Sequence, residues 1–333
     1  MTHKPIIFSI IIPFKSWSSN LTECLKYIRE LTFKEFELIL LPDEEVSLLE
    51  EFRDLPIISY PTGPINPAAK RDCGAEKAKG ELFAFIDDDA YPESNWLDVA
   101  YKIFSTRPDI GAIGGPAMTP KTDLFWARVS GAVFLSRISG GFPERYAAIP
   151  PEKEVDDWPS VNLIVRRKIF EETGGFDSAY WPGEDTLFCL KIIKNTDKLI
   201  FYFPELRVWH HRRTSLAKHL RQVGNYGLHR GYFSKAYPET SRKFKYFVPT
   251  LWVVFIFLGF FLTILFPVFF TVYKLGFFFY LVALIVACRD ICAYESLLVA
   301  LSSIPYIIIT HLWYGIKFIQ GLIVKNLKSS MGR

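Results

Sequence analysis

The chain has 333 residues, enough for one large domain and a further region. Half of them are hydrophobic and 30 are Phe, more apolar than a purely soluble protein usually is. The net charge is only +4 and no long basic run is interleaved with aromatics, which argues against nucleic-acid binding.

The opening segment, "MTHKPIIFSIIIPFK", is apolar only from Ile6 to Ile12 and is cut by Pro13. It is too short for a signal-peptide core and has no small-residue cleavage site, so the N-terminal domain is expected to stay in the cytoplasm. Cysteines 24, 73, 189, 288 and 292 form no CxxC pair and fit plain packing in a reduced compartment. Residues 6–14 read as a fully buried strand. A helix follows over 20–31, with Leu21, Leu25, Ile28 and Leu31 at helical spacing and Ser19 or Asn20 as its cap. "FELILLP" (36–42) is a second buried strand, ending at Asp43. Residues 67–80 predict a helix opened by Pro67 and closed by Gly80, and 81–87 a third strand. This alternation predicts an α/β fold, a mostly parallel sheet with helices on both faces. Its ligand should sit outside the carboxyl ends of the strands.

Asp43 and the run Asp87, Asp88, Asp89 both fall at such strand ends. Three adjacent carboxylates repel one another, and a solvated loop does not require them. In an extended chain Asp87 and Asp89 point to the same side, because the side-chain period is two. Two oxygen donors on one face suit a hard divalent cation, which usually completes its shell with substrate phosphates.

These segments resemble glycosyltransferase family 2, with its nucleotide-binding GT-A (Rossmann-like) fold. The resemblance rests on "SIIIPFK", Asp43, "AAKRDCGAEKAKGE", "FAFIDDD", "NLIVRRKIFEETGGFD" (162–177), "GEDTLFCLKI" (183–192) and "VWHHRR" (208–213), and covers residues 6 to 230. It implies that Pro13 and Phe14 line the nucleotide pocket and that Asp43 hydrogen-bonds the base. Lys70 or Arg71 would lie near the base or the diphosphate. Asp87 and Asp88 would belong to the nucleotide side, with Asp87 towards the ribose and also within reach of the metal, and Asp89 on the metal itself. Asp185 matches the family's catalytic base, with Glu184 as the alternative. His210 matches a histidine near the metal and diphosphate, and His211 competes with it. The loop "LPDEEVSLLEE" departs from the family's serine- and aspartate-rich pattern, which leaves the grip on base and ribose less defined than the metal site.

The implied reaction is an inverting sugar transfer from a nucleotide diphosphate sugar, a UDP-sugar favoured, with Mg²⁺ or Mn²⁺ as cofactor. Beside this, Glu184 and Asp185 also suit a positive helix N-terminus, Gly174 suffices as a helix C-cap, and Asn162 faces either the donor sugar or a strand-end hydrogen bond. Arg212 and Arg213 suit either phosphates or anionic lipid. A processive synthase would carry Q-x-x-R-W, where "RQVGNYG" stands. A sugar nucleotidyltransferase would want a glycine-rich loop where "PFKSWSSN" stands. A non-catalytic scaffold would not need Asp87, Asp89 and Asp185.

Beyond residue 240 charge nearly disappears. Tyr246–Tyr273 and Ser296–Ile316 hold no charged residue, and Leu275–Cys288 is a shorter third stretch. The first and last are long enough to span a bilayer as helices. The reading is therefore a glycosyltransferase domain over 1–235 and a membrane region over 236–333, multi-pass in the cell membrane with the catalytic domain cytoplasmic. Basic, aromatic residues 219–233 read as an interfacial helix leading into it. Three crossings would leave Lys317, Lys325, Lys328 and Arg333 outside, against the positive-inside rule, so an even number is expected. The acceptor is expected to be lipid-linked or membrane-proximal.

Overall fold

The computed structural model describes residues 6–327; Met1–Pro5, and Lys328 and Arg333 of the basic tail, lie outside the described residues. In chain order the first elements are β1 (Phe8–Pro13), α1 (Ser19–Arg29), β2 (Phe36–Leu41), β3 (Ile57–Ser59), α2 (Pro67–Lys77) and β4 (Leu82–Ile86). Then come β5 (Ala90–Pro92), α3 (Trp96–Thr106), β6 (Ile110–Gly114), β7 (Ala117–Met118), α4 (Phe125–Ala132), β8 (Lys153–Glu154) and β9 (Asn162–Arg166). They are followed by α5 (Arg167–Thr173), α6 (Glu184–Asn195), β10 (Leu199–Tyr202), β11 (Val208–His210) and α7 (Leu216–Ala236). The last four helices are α8 (Pro238–Ser241), α9 (Phe244–Leu265), α10 (Val268–Cys292) and α11 (Leu297–Ile323).

Two compact units interleave along the chain. Among the described residues, one takes 6–118 and Ala147–His211; the other takes Thr119–Tyr146 and 212–327. The first is built on an eight-stranded sheet in the order β3-β2-β1-β4-β9-β6-β10-β8. β1 pairs in parallel with β2 and β4, β2 with β3, and β6 with β10. β9 enters antiparallel between β4 and β6, so the sheet is mixed at its centre. The β1 side chains explain the two-sided core. Phe8, Ile10 and Ile12 pack with α1 and α3 residues such as Leu25 and Trp96, while Ile11 packs on the other face with Phe170 and Phe188 of α5 and α6. A strand buried on both faces must be apolar throughout, as the sequence of β1 is.

Local signals set the element ends, with small corrections to the sequence reading. The cap of α1 is Ser18, whose side chain accepts from Leu21 N, one residue before the expected Ser19. α2 starts at Pro67 as expected but stops at Lys77, because Ala78 is already extended. Gly80 then passes so close to β1 that a Cβ there would lie 2.5 Å from Ser9 N. Gly174 takes φ 73° and closes α5, while Gly175 N returns to Phe170 O, as a helix C-cap requires.

In the second unit three helices, α9, α10 and α11, are long and apolar enough to cross a membrane. The charge-free run Tyr246–Tyr273 is not one helix. It breaks between Phe266 and Pro267, since proline has no N–H for the ladder and restricts the residue before it. α10 then absorbs the shorter middle stretch together with Lys274. Polar contacts tie this unit internally: Arg128 pairs with Glu295 at 2.5 Å, and Ser136 donates to Asp290 at 2.6 Å. His219 of α7 lies fully buried, with Ser130 Oγ 2.8 Å from Nδ1 and Thr310 Oγ1 2.8 Å from Nε2.

Burial holds the His219 imidazole down at about 4, against an ordinary 6.5. Between those values an unfolded chain takes up a proton that the folded unit refuses. Stability is therefore whole above pH 6.5 and declines as the pH falls towards 4, by up to about 3 kcal/mol. His219→Gln, which can still bond both hydroxyls, should flatten that decline in denaturant titrations of the detergent-solubilised protein; an unchanged slope would assign the pH dependence elsewhere.

Candidate active site

The carboxyl ends of β1, β2 and β4 converge on two adjacent cations of α2. Lys70 and Arg71 are 2% and 3% exposed, although such side chains are almost never buried unpaired. Lys70 Nζ pairs with Asp43 Oδ1 at 2.8 Å and donates to the carbonyls of Phe14 and Leu41, both at 2.9 Å. Its three protons are thereby spent on the ends of β1 and β2. Of the two cations expected at the base or diphosphate, Lys70 acts as a bolt between strands. Pro13 and Phe14 are buried at the same corner, and Phe14 N bonds Leu41 O.

Arg71 reaches the other way. Its Nη2 bonds Asp87 Oδ1 at 2.7 Å and its Nη1 bonds Glu184 Oε1 at 3.1 Å, with the guanidinium carbon 5.6 Å from the centroid of the Phe176 ring. One buried fork thus joins the end of β4 to the start of α6. Glu184 is 4% exposed, and burial pushes its carboxyl up to about 8, with the neighbouring Asp185 charge adding and Arg71 opposing. Pairing with Asp87 and Glu184 raises Arg71 against its own desolvation, so the guanidinium stays charged. Asp185 differs from its neighbour: it is half-buried, in the first turn of α6, behind Gly183 at φ 117°. A backbone with that φ favours glycine. The two adjacent acids therefore have separate surroundings.

Asp89 and His210 meet across the small sheet β5-β11-β7, where His210 pairs with Ala90 and His211 N bonds Asp89 O at 3.0 Å. The His210 Nε2 lies 3.1 Å from Asp89 Oδ1. His211 turns instead to Glu23 of α1, with Nε2 3.0 Å from Oε2. The strand alternation separates the two histidines, and His210 is the one that faces Asp89. An oxygen and a nitrogen donor 3.1 Å apart match the edge between two neighbouring ligands of a divalent ion at bonds of about 2.1 Å. Among the described residues no group of three or more His, Cys, Asp and Glu is arranged to hold a metal. A cation that keeps several waters or substrate phosphate oxygens needs only such a pair from the protein, so the donor set fits Mg²⁺ or Mn²⁺.

Other sequence candidates fall outside this constellation. Asn162 is fully buried: its Oδ1 accepts from Trp96 Nε1 at 3.0 Å, and its Nδ2 donates to Leu206 O at 2.7 Å. It serves the strand end. Arg212 belongs to the second unit, where Nε donates to Thr119 Oγ1 at 3.2 Å and the backbone N to Asp123. Sequence reasoning missed Glu23, Phe176 and Asp157, which accepts from Thr186 Oγ1 at 3.2 Å. Their pattern carries no local signal, since each acts through a partner distant in the chain.

Lys70→Met keeps the stem but removes the ammonium that pairs with Asp43 and donates to the carbonyls of Phe14 and Leu41. Removing one partner of a buried pair costs about 3–5 kcal/mol, so a clear fall in the unfolding midpoint is expected; an unchanged midpoint would show that Lys70 does not join β1 to β2.

Residues 9–174 match the family model described as glycosyl transferase family 2. The chain is 23% identical over 214 residues to a glucosyl-dolichyl phosphate glucuronosyltransferase of Haloferax volcanii, covering 57% of this chain and 64% of that protein. It is 24% identical over 230 residues to a pre-mycofactocin glycosyltransferase of Mycobacterium tuberculosis, covering 66% of this chain and 46% of the relative. The chain thus spans less than two thirds of the length of either relative. Among solved structures, the mannosyltransferase PcManGT of Pyrobaculum calidifontis, in complex with GDP-Man and Mn²⁺, superposes with a TM-score of 0.54 at 17% identity, over 98% of this chain and 89% of that one. The fold is GT-A followed by apolar helices, and the chain carries a glycosyltransferase family 2 domain.

Proposed function

We propose that this domain transfers a sugar from a nucleotide diphosphate sugar, with inversion, to a hydroxyl of a lipid-linked or membrane-proximal acceptor, at the cytoplasmic face of the cell membrane and in cell-surface polysaccharide or glycolipid synthesis. The observation that carries this reading is the division of acids beyond β4. Asp87 is held by Arg71, Asp89 faces His210, and Asp185 stands half-buried next to the buried Glu184. A divalent cation at Asp89 and His210 would neutralise the charge of the leaving diphosphate. Asp185 is the base for the acceptor hydroxyl, because a base must reach its proton, and Glu184 is committed to Arg71. Arg71 fixes Asp87 towards the ribose, and Asp88 borders the nucleotide. Pro13, Phe14 and Asp43 border the base, with a UDP-sugar the expected donor.

The comparisons support the class of donor and acceptor. The fold neighbour was solved with GDP-Man and Mn²⁺, and the archaeal relative is named for a sugar carried on dolichyl phosphate.

Turnover is read with labelled UDP-, GDP- and dTDP-sugars, Mn²⁺ and liposomes containing polyprenyl phosphate lipids. Release of nucleoside diphosphate is expected; release of pyrophosphate from a nucleoside triphosphate would make the protein a nucleotidyltransferase instead. Asp89→Ala should abolish metal-dependent donor binding while the protein still folds. Asp185→Asn should keep donor affinity and lose turnover about 10²–10⁴-fold. Loss of turnover confined to Glu184→Gln would move the base by one residue.

A further inference from the structure

Length and composition qualify three helices to cross a membrane, but their packing does not treat them alike. Neighbours cover 39% of the apolar window of α11, against 11% for α9 and 6% for α10. We infer that only α9 and α10 enter the bilayer, as a hairpin, while α11 lies on the membrane surface without crossing it, so that the chain before α9 and after α11 stays on one side.

The argument starts from α7. It runs beside α11 in the same direction: His219 meets Thr310, Gly231 meets Phe318, and Lys235 Nζ donates to Val324 O at 2.7 Å. The two backbones touch. A Cβ on Gly231 would fall 2.1 Å from Phe318 O, and one on Gly321 would fall 2.1 Å from Leu228 O. The outer face of α7 is polar, with Lys218, Arg221 and Tyr226 exposed. Between the helices opens a cleft of ≈ 390 Å³ lined in part by Arg221, Asn225, Trp313 and Lys317. Cations and amides with that exposure do not sit against hydrocarbon, where each charged side chain costs about 2.5–3.5 kcal/mol or more. Residues 310–323 of α11 therefore remain out of the acyl layer. Residues 297–309 alone reach roughly 20 Å at about 1.5 Å per residue, short of a core about 30 Å thick.

What α11 offers instead is a stripe. Leu297, Leu298, Leu301, Ile309, Trp313 and Ile316 are 62, 66, 50, 37, 37 and 41% exposed, while the opposite face buries Ser303, Thr310 and His311 inside the unit. A helix with its polar residues inward and an apolar stripe ending in Trp and Lys fits the headgroup boundary of a bilayer. The α9–α10 pair is different. Trp252 stacks on Tyr280 with centroids 4.3 Å apart, and Phe255 fills the space over Gly276. Outside that seam it exposes large apolar side chains from Leu251 to Val286, with Lys274 as the charged residue among them. At the turn Phe266 N, Phe269 N and Phe270 N all find backbone carbonyls, so the tip can leave water. Lys274 points towards that tip, with Nζ 4.6 Å from the Phe270 centroid.

Charge agrees with an even count. Arg242 and Lys243 precede α9 and Lys245 lies in its first turn, while Lys325, Lys328 and Arg333 follow α11 in the sequence. A hairpin leaves both basic clusters on the same face, as the positive-inside rule favours.

The test uses the full chain in sealed membrane vesicles, with Cys73, Cys288 and Cys292 changed to Ser and a protease-cleavable tag at each end. Both tags should be cut from the same face, and a cysteine introduced as Lys317→Cys should react with a membrane-impermeant maleimide from that face without detergent. Phe266→Cys should not react from that face. Tags cut from opposite faces, a Lys317→Cys that labels only after detergent, or a Phe266→Cys that labels from the tagged face would each overturn the assignment. These readouts do not depend on sugar transfer.

Discussion

Two buried cations on one turn of α2 hold the site together. Lys70 closes the ends of β1 and β2, and Arg71 joins the end of β4 to the start of α6. Burying a charge costs several kcal/mol before any pairing repays it, and replacing such pairs with apolar residues is often neutral or better. A core built only for stability would not put them there. Their consequence is geometric. Without Arg71, Asp87, Glu184 and Asp185 would face one another as like charges, and the β4 end and the α6 start would have no common anchor. The fork holds two of these acids, while Asp185 stands half-buried beside them and Asp89 faces His210.

The carboxyl of Glu184 shows the same constraint from the electrostatic side. Burial drives it up and the Asp185 charge drives it further, while Arg71 pulls it back. Burial and the Asp185 charge thus both work against the ionised form of Glu184, and the guanidinium of Arg71 works for it. One helix start thus carries two acids of different character: one buried and coupled to a guanidinium, the other half-buried at the first turn. The general rule is that environments which push two titratable groups apart let them take separate roles.

Much of this was legible in the sequence because it depends on short-range rules. The apolar runs of β1, β2 and β4 identify strands covered on both faces, and the acids after them follow from where ligands sit on such sheets. The antiparallel insertion of β9 was not legible: its five residues read equally well in either direction, and direction is decided by partners far along the chain. The role of Lys70 was likewise hidden, since a lysine in a predicted helix face gives no sign that two carbonyls await it. In the apolar region composition gave the amount of membrane-like helix but misjudged its division, because one proline outweighs an uninterrupted run of Phe and Leu. Burial of α11 against α7 depends on glycines whose spacing means little until the partner helix is known.

The choice between His210 and His211 shows how a backbone register becomes chemistry. β5 and β11 pair antiparallel with His210 opposite Ala90 and Trp209 opposite Tyr91, so the residue next to Ala90, Asp89, lies within reach of the His210 ring. The next backbone bond, His211 N to Asp89 O, extends the ladder and sends the His211 ring towards α1 and Glu23. A slip of one residue would reverse these faces and put an indole where a metal-competent nitrogen now stands. Only three residues of β11 are paired, yet Val208 and His210 are buried on one side and Trp209 is half-buried on the other. That alternation resists the slip, because it would drive Trp209 into the space that Val208 and His210 fill. The geometry at Asp89 is therefore maintained by apolar packing one and two residues away, outside the acidic cluster itself.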